Sequence, residues 1–522
     1  MNPLRCCAGV RVDLRARLPL YASDWTDAID ARALSATVFM FFSQAVPAAT
    51  FSAYLSSRTA GELGVVETLL GMGACGVLFA VCAGQPLLLV GTTGPVCVFL
   101  ATLHSVSVSL GVPFRGVLFW TSLWAAFIHA VVAAVGAPRA FVARVTAFSG
   151  DTFGALIGLI YVVEGASALV ALATAAPSAD ARGLALGLGL CVWIFAAFLT
   201  RARSWPCAAR LPRVVVALFA DYGMPIAVVV AAAVQFAAPH EVREKLDFLP
   251  VPAHFAPSSI DANSISRVPS WAIAGALLPA LVLSLLLFFD HNISALLTQA
   301  PRLGLRKPSA YDWDFLLLGA ALAITGTLQL PPVYGLIPQA PLHARALARL
   351  GPDGKCEGVC ENRGSALGQS LLLLALLAPQ ALNALSGVPT AVLFSILIYL
   401  GCEGLRGNAV VARALALLRA CCVCGRPRGD SPPLLASAEL VLGAIQLGCV
   451  AAIYAVTRTP AGMIFPALIC ALVPLRLAVL PPIFSRAFGD TALELADPRA
   501  WALQLPDAAD VDAEATLSPL AA

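Results

Sequence analysis

Long runs of apolar residues follow one another along this 522-residue chain, and short polar stretches separate them. Each run is near the length of an α-helix that crosses a lipid bilayer, which takes about 20 residues. The pattern predicts fourteen spans, near residues 32–55, 62–82, 88–104, 112–136, 150–174, 182–200, 212–236, 269–289, 312–329, 335–349, 364–384, 388–405, 435–456 and 460–480. We therefore expect an all-α polytopic protein whose partner is the lipid bilayer.

The composition supports a membrane protein. Hydrophobic residues make up 59% of the chain, charged residues only 12%, and the mean hydropathy is +0.84. A soluble domain is about half apolar and about a quarter charged. The net charge of +3 comes from Lys and Arg residues spread over the loops, so nucleic acid is not an expected partner. No cleavable signal peptide is evident, because residues 1–30 are polar and include Asp24, Asp27 and Asp30.

Two of the predicted spans are interrupted by proline and glycine, one in each half of the chain, at residues 84–95 and 331–341. Proline removes a backbone donor and glycine weakens a helix, so we expect extended chain there, followed by a half-helix. In lipid, such backbone is tolerated only where it lines a cavity inside the protein. A matched pair of broken spans indicates the binding site of a transporter. The pattern thus predicts a solute carrier.

The span count also predicts a symmetry and an orientation. Fourteen spans divide into seven plus seven, and an odd-numbered repeat must be inverted in its second copy. With a cytoplasmic N-terminus, 26 of the 33 Lys and Arg residues fall on the cytoplasmic side and 7 outside. This bias favours cytoplasmic N- and C-termini. We expect cytoplasmic tails at 1–31 and 481–522, with residues 488–522 disordered or loosely helical, and a mostly irregular extracellular loop at 237–268.

Asp290 is the most informative polar residue in the apolar runs, directly after the predicted span 269–289. A carboxylate at membrane depth costs several kcal/mol unless it is hydrated or paired, so it is a candidate for function. The alternative is a position at the cytoplasmic end of the span, in headgroup water. Ile293 and Leu296 continue the apolar pattern past it, and Ser294 lies on the same helical face. A buried Asp290 could take up a proton, hold a cation or bind a hydroxylated substrate.

Polar residues at the two broken spans complete the predicted substrate-binding set. Thr92, Thr93 and Gly94 open the first half-helix, where free N–H groups and the helix dipole favour an anion. Gln339 lies near the start of the second half-helix, and its amide can donate and accept hydrogen bonds; the alternative is a residue that satisfies only local backbone. Gln44, in the first span, could line the same cavity or make a polar contact between helices.

The six histidines show no spacing typical of a metal site or a catalytic triad, and the fifteen cysteines show none typical of zinc. We therefore expect no enzymatic activity and predict neither a metal nor a cofactor.

Several motifs resemble the bicarbonate/borate anion transporter family. They are Gly84-Gln85-Pro86-Leu87-Leu88, Gly94-Pro95-Val96, Phe289-Asp290 with Ile293, the stretch from Tyr311-Asp312-Trp313-Asp314 to Gly319, and Ile337-Pro338-Gln339 with Pro341 and His343. The resemblance runs from about Tyr21 to Arg476 and so covers nearly the whole chain.

The resemblance implies a seven-plus-seven inverted repeat of fourteen spans. Residues 32–136 and 269–384 would form a core domain, and residues 150–236 and 388–480 a gate domain that also makes the contact of a homodimer. Transport would proceed by an elevator-type movement of the core against the gate.

The residues of the predicted site indicate which branch of the family the chain resembles. Plant and fungal borate transporters resemble this chain at Phe289-Asp290-His291, whereas animal chloride/bicarbonate exchangers carry Glu at the position of Asp290 and Arg at that of Gln339. Sodium-coupled bicarbonate carriers share the Asp, and the stretch 91–96 is more similar to theirs. We expect a plasma-membrane borate exporter; bicarbonate transport, sodium-coupled, proton-coupled or by exchange, is the alternative, and a non-transporting membrane scaffold is a third class.

Overall fold

The computed structural model describes residues 7–28, 30–251, 261–299, 303–337, 339–350, 356–406, 408–422, 433–459 and 464–497. Most of these residues are helical. The helices are α1 (Ala8–Arg17), α2 (Tyr21–Thr26), α3 (Ala31–Arg58), α4 (Val65–Cys82), α5 (Gly94–Ser109), α6 (Phe114–Ala134), α7 (Ala137–Val142), α8 (Ala147–Ala175), α9 (Ala179–Leu199), α10 (Arg213–Val234), α11 (His240–Arg243), α12 (Ala262–Ser266), α13 (Ser270–Gly275), α14 (Leu277–Thr298), α15 (Tyr311–Thr327), α16 (Gln339–Ala346), α17 (Gly364–Ala375), α18 (Pro379–Ser386), α19 (Thr390–Leu405), α20 (Ala409–Cys422), α21 (Pro433–Thr457), α22 (Phe465–Pro474), α23 (Leu480–Phe488) and α24 (Ala492–Ala496).

Eight of the described helices are long and apolar enough to cross a membrane. The number rises to ten if the two pairs bent by 75° and 77°, α17 with α18 and α19 with α20, each count as one span. Helices α5 and α16 are shorter because each begins after a proline-broken segment, and among the described residues of the predicted span 335–349 only the eight of α16 are helical. A polytopic membrane protein is therefore confirmed, and the fourteen-span arrangement stays a prediction.

Four short strands correct the expectation of an entirely α-helical chain. Strands β1 (Val90–Gly91) and β2 (Tyr334–Gly335) pair antiparallel, as do β3 (Ala348–Leu350) and β4 (Cys356–Val359). Where proline interrupts a helix, the backbone groups need other partners inside the protein. The two broken segments supply those partners to each other.

The predicted end of the eighth span was wrong. Helix α14 continues to Thr298, nine residues beyond the predicted edge at 289. Asp290, Asn292 and Ser294 follow the predicted edge and are at most 2% exposed, so Asp290 is buried as the preferred interpretation expected and does not lie at the end of the helix. Polar groups inside a membrane protein are tolerated when protein groups rather than lipid surround them.

The segment before the first span folds onto the rest of the protein. Asp13 in α1 accepts hydrogen bonds from the backbone N–H groups of Asp312 and Trp313, at 2.8 and 3.0 Å, and so caps α15. Arg139 pairs with Asp13 from the other side. Burial raises the pKa of Asp13 to about 6, although the charge of Arg139 and the hydrogen bonds lower it. The described part of the predicted tail 1–31 is therefore a structural element.

A second buried carboxylate, that of Asp24, holds α2 against the rest of the protein. Asp24 pairs with Lys307 at 2.7 Å, with Arg363 at 3.0 Å and with Arg17 at 3.5 Å. Arg363 also donates to the carbonyl of Ala80 near the end of α4. A buried carboxylate needs such partners, because leaving one charge unpaired costs several kcal/mol. These contacts join four segments that are distant in the chain.

The C-terminal part is also more ordered than predicted. Arg476, fully buried in the π-helical segment Leu475–Val479 between α22 and α23, donates to Asp497 at 2.5 Å. Arg413 donates to the carbonyl of Ala496 at 2.9 Å. The rest of the predicted tail, residues 498–522, lies outside the described residues, as do residues 252–260 of the loop 237–268. The described part of that loop contains α11 and α12.

Asp314 in the first turn of α15 supports the first broken segment. Its carboxylate accepts from the N–H groups of Gly84 and Gln85, at 2.5 and 3.0 Å, and it is fully buried. These two donors precede β1, where the helical hydrogen-bond pattern of α4 has ended.

Replacing Asp314 by Ala should destabilise the protein strongly, because two buried N–H groups would lose their acceptor at about 1–3 kcal/mol each. The measurement is thermal unfolding of the purified protein in detergent. Asp180→Ala, at an exposed position in α9, is the matched control and should leave the transition unchanged. Equal transitions for both variants would contradict the supporting role of Asp314.

Candidate functional site

The two broken segments meet in the middle of the fold. Val90 pairs with Gly335 and Gly91 with Tyr334, so the short strands lie side by side. Helix α5 begins three residues after β1 and α16 begins four residues after β2. The antiparallel pair therefore brings the N-terminal ends of the two half-helices into one region. Pro338, part of the motif before Gln339, lies outside the described residues.

Side chains on neighbouring helices fix this pair. The Nδ1–H of His343 donates to the carbonyl of Leu87 at 3.0 Å, and the hydroxyl of Ser365 lies 2.8 Å from its Nε2. Thr92 donates to the carbonyl of Pro332 at 3.2 Å. Each half of the chain thus satisfies backbone groups of the other half.

A cavity of about 400 Å³ opens beside the strand pair. Five of the seven predicted site residues line it, namely Asp290, Gln339, Thr92, Thr93 and Gln44. Its wall is otherwise largely apolar, with Phe51, Met72, Phe153, Ile157, Leu297, Leu336, Ile337 and Leu400. The lining residues belong to two sets of elements: α3, α4, the start of α5, α14, β2 and α16 form one wall, and α8 and α19 form the other.

Asp290 lies in the body of α14 rather than at its end. It is 2% exposed, and the helix continues for eight residues past it. Its carboxylate accepts a hydrogen bond from the hydroxyl of Tyr334, which also bonds to the hydroxyl of Thr93. Its Oδ1 has no hydrogen-bond partner among the described residues. One carboxylate oxygen is therefore available to a ligand in the cavity.

The two glutamines add further unpaired groups. Gln339 donates from Nε2 to the carbonyl of Ser43 at 3.4 Å, and its Oε1 has no partner within the described part of the chain. Gln44 is 1% exposed, and neither its Oε1 nor its Nε2 is paired within the same ranges. A buried amide that lacks a partner costs about 1–3 kcal/mol. These groups therefore favour a ligand with hydroxyl donors and oxygen acceptors.

The two remaining predicted residues do not line this cavity. Ser294 donates to the carbonyl of Leu336 at 2.9 Å, so it positions the chain before α16. Gly94 donates its N–H to the hydroxyl of Tyr161 at 3.0 Å, and a side chain at Gly94 would overlap the Tyr161 ring. Glycine is therefore required at the start of α5.

Two tyrosines of the site, Tyr161 and Tyr334, were absent from the sequence-based prediction. An aromatic residue in an apolar run looks like any packing residue, and Tyr161 lies in such a run. Tyr334 could have been found, because it stands inside the second broken segment, where a hydroxyl would face the same cavity.

The charged residues in the described lining are all acidic. They are Asp151, Asp290 and Glu403. Glu403 pairs with Arg406 at 3.1 Å and with Arg201 at 3.6 Å, so it is partly neutralised. The positive partial charges that face the cavity come from the N-terminal ends of α5 and α16. An anion bound here would be held by backbone dipoles and neutral polar groups.

Comparisons with known proteins identify the family of the chain. A family model described as the HCO3⁻ transporter integral membrane domain matches residues 5–191 and 184–492. The chain is 29% identical to Boron transporter 1 of Saccharomyces cerevisiae, over 88% of this chain and 80% of that protein. It is 28% identical to the Band 3 anion transport protein of Homo sapiens, over 91% of this chain and 55% of that one.

A solved structure shows a similar fold. The transmembrane domain of the cyanobacterial bicarbonate transporter BicA superposes with a TM-score of 0.58 at 15% identity, over 84% of this chain and 98% of that one. At this identity the likeness concerns the fold alone. The family match spans nearly the whole chain and includes every residue of the cavity, so the protein belongs to the family of the HCO3⁻ transporter integral membrane domain.

Proposed function

We propose that the protein is a secondary-active carrier of a small inorganic anion and that it exports borate across the plasma membrane. The observation that carries this proposal is the donor and acceptor set of the cavity. Asp290, Gln339 and Gln44 offer unpaired oxygens, and the half-helix ends offer positive partial charge. Tetrahydroxyborate carries four hydroxyl donors together with a negative charge, so it suits both kinds of group. The similarity to a boron transporter supports this choice.

Bicarbonate is the second candidate substrate. It has one hydroxyl donor and would leave more of the acceptors unpaired, but it has the same charge, and the chain is also similar to an anion exchanger. Transport could then be exchange for another anion, or cotransport with sodium or a proton. Asp290 is the group that would carry the coupled proton or contact a coupled cation, because its Oδ1 is unpaired among the described residues and lies beside the anion region.

The proposed mechanism is elevator-type. Residues 32–136 and 269–384 form the moving core, and residues 150–236 and 388–480 form the gate and the contact of a homodimer. The cavity supports this division, since core elements line one side and the gate helices α8 and α19 the other. Fourteen spans in a seven-plus-seven inverted repeat would place α5 and α16 in equivalent positions. Their antiparallel strands pair, as expected for two inverted copies.

Borate export is tested by the boron content of boron-loaded host cells that lack their own exporter. Cells that make this protein should contain less boron. Asp290→Ala should reduce the export rate about tenfold or more, because a hydrogen bond to a charged group contributes about 1.5–3 kcal/mol and 1.4 kcal/mol is about tenfold.

The control is Asp180→Ala, which removes an exposed carboxylate that does not line the cavity. It should export at the native rate, with both variants at equal surface abundance. Full export by Asp290→Ala would refute the proposed site. Unchanged boron in cells with the native protein would refute borate export, and recovery of intracellular pH with and without sodium would then test bicarbonate.

Gln339→Leu should raise the borate KM by about two- to tenfold, because the apolar side chain lacks the unpaired amide oxygen. Initial export rates over a range of borate concentrations give this value. Gln235→Leu is the matched control, since its amide bonds only to backbone carbonyls outside the cavity. An unchanged KM in Gln339→Leu would remove this residue from the site.

The orientation is tested with epitope tags on intact cells. Tags at the two chain ends should be reached by antibody only after permeabilisation, because both tails are proposed to be cytoplasmic. A tag within 252–260 should be reached without it. Any other pattern would contradict the proposed number or direction of the spans.

A further inference from the structure

Tyr161 places a hydroxyl at the N-terminal end of the first half-helix. This tyrosine belongs to α8, whereas the half-helix α5 belongs to the opposite wall of the cavity. The Tyr161 hydroxyl oxygen accepts the N–H of Gly94 at 3.0 Å. It also bonds to the side chain of Thr93. A residue of one wall therefore occupies the N–H group at the start of a helix of the other wall.

The position of Tyr161 is fixed by packing as well as by hydrogen bonds. Its ring lies against Gly94, and its centroid is 5.7 Å from that of Phe51 in α3. A side chain larger than hydrogen at Gly94 would push the ring away. The close approach thus keeps the hydroxyl at the N-terminal end of α5, where the partial charge of the helix is positive.

The same hydroxyl is linked to Asp290 through a chain of side chains. Tyr161 bonds to Thr93, Thr93 bonds to Tyr334, and Tyr334 donates to Asp290. Three elements of the core wall and one helix of the gate wall meet in this chain. A change in the Tyr161 contact would therefore alter the hydrogen bonding of the Asp290 carboxylate.

We propose that Tyr161 is a specificity-determining residue of the gate that competes with the transported anion for the N–H of Gly94. This inference rests on the proposed function, in which the ends of the half-helices hold the anion. An N–H group makes one strong hydrogen bond, so an anion oxygen that takes it must displace the tyrosine oxygen. Binding of the anion then breaks a polar contact between the two walls. Substrate occupancy is in this way coupled to the freedom of the core to move against the gate.

The test is Tyr161→Phe, which removes the competing oxygen and keeps the ring against Gly94. If the hydroxyl competes, the variant should bind the anion more tightly, and the KM for borate export should fall by about two- to tenfold, the effect of one net hydrogen bond. If the hydroxyl instead donates to the anion, the KM should rise. A raised or unchanged KM would overturn the proposal.

Tyr399→Phe is the matched control. Tyr399 lies in α19, and its hydroxyl bonds to Thr200 at 3.2 Å, outside the cavity. The same loss of one buried hydroxyl there should leave the KM unchanged. A fall in KM in both variants would show a general loosening of the gate and would overturn a specific role for Tyr161.

A measurement that does not depend on transport separates this inference from the proposed function. Amide hydrogen exchange at Gly94 can be followed by mass spectrometry of the purified full-length protein, since Pro95 has no N–H to confuse the signal. Tyr161→Phe should accelerate this exchange and Tyr399→Phe should not. Added borate or bicarbonate should slow it more in Tyr161→Phe than in the native protein.

The two readouts give distinguishable outcomes. Unchanged exchange in Tyr161→Phe would overturn the competition whatever the substrate. Faster exchange that bicarbonate slows and borate does not would support the competition and refute borate as the anion. Faster exchange that neither anion slows would overturn the proposal, because no anion would then reach the N–H that Tyr161 holds.

Discussion

The structure depends on one constraint: backbone groups in a membrane interior need partners, and two stretches of this chain cannot supply their own. Proline breaks the helices before α5 and α16. The antiparallel pair of β1 with β2, only two residues long on each side, satisfies those groups. Because the partners come from opposite halves of the chain, the pair also fixes where the two half-helices begin. The anion-binding potential of the site is thus a consequence of how the backbone is satisfied.

Buried carboxylates, two of them in the N-terminal segment, support the region around the strand pair. Asp314 caps the first broken segment, and Asp13 caps the helix that carries Asp314. Asp24 gathers Lys307 and Arg363 from two distant segments. A buried network of this kind contributes little net stability when intact but is costly to break, so it favours one arrangement over others. The N-terminal segment is therefore held against α15 and against the segments that carry Lys307 and Arg363.

Much of the architecture could be predicted from the sequence, and the failures share one cause. The apolar runs located the long helices, and the prolines located the two half-helices, because both signals are local. The end of α14 was misplaced because polar residues after Phe289 resemble a helix end when their partners are unknown. The burial of Arg476 could likewise not be predicted, because its partner Asp497 lies 21 residues further along the chain. Asp290, Gln339 and Gln44, which line the cavity, were predicted because polar groups stand out in apolar runs. Tyr161 was missed because a tyrosine does not.

The contacts within the proposed gate are tighter than the contacts between the proposed gate and the proposed core. Within the gate, α8 and α19 pack at glycines: a side chain on Gly401 would lie 2.6 Å from the carbonyl of Gly158. Such close backbone contact leaves no room for the helices to slide, and small residues serve this purpose in membrane proteins generally. Between gate and core the cavity surfaces are mostly apolar, and apolar surfaces can slide without leaving hydrogen bonds unpaired. The contact of Tyr161 with Gly94 is a polar exception at that boundary. In the proposed mechanism its strength relative to an anion's own hydrogen bond would influence when the core is free to move, together with the ion pair of Arg58 in α3 with Glu164 in α8.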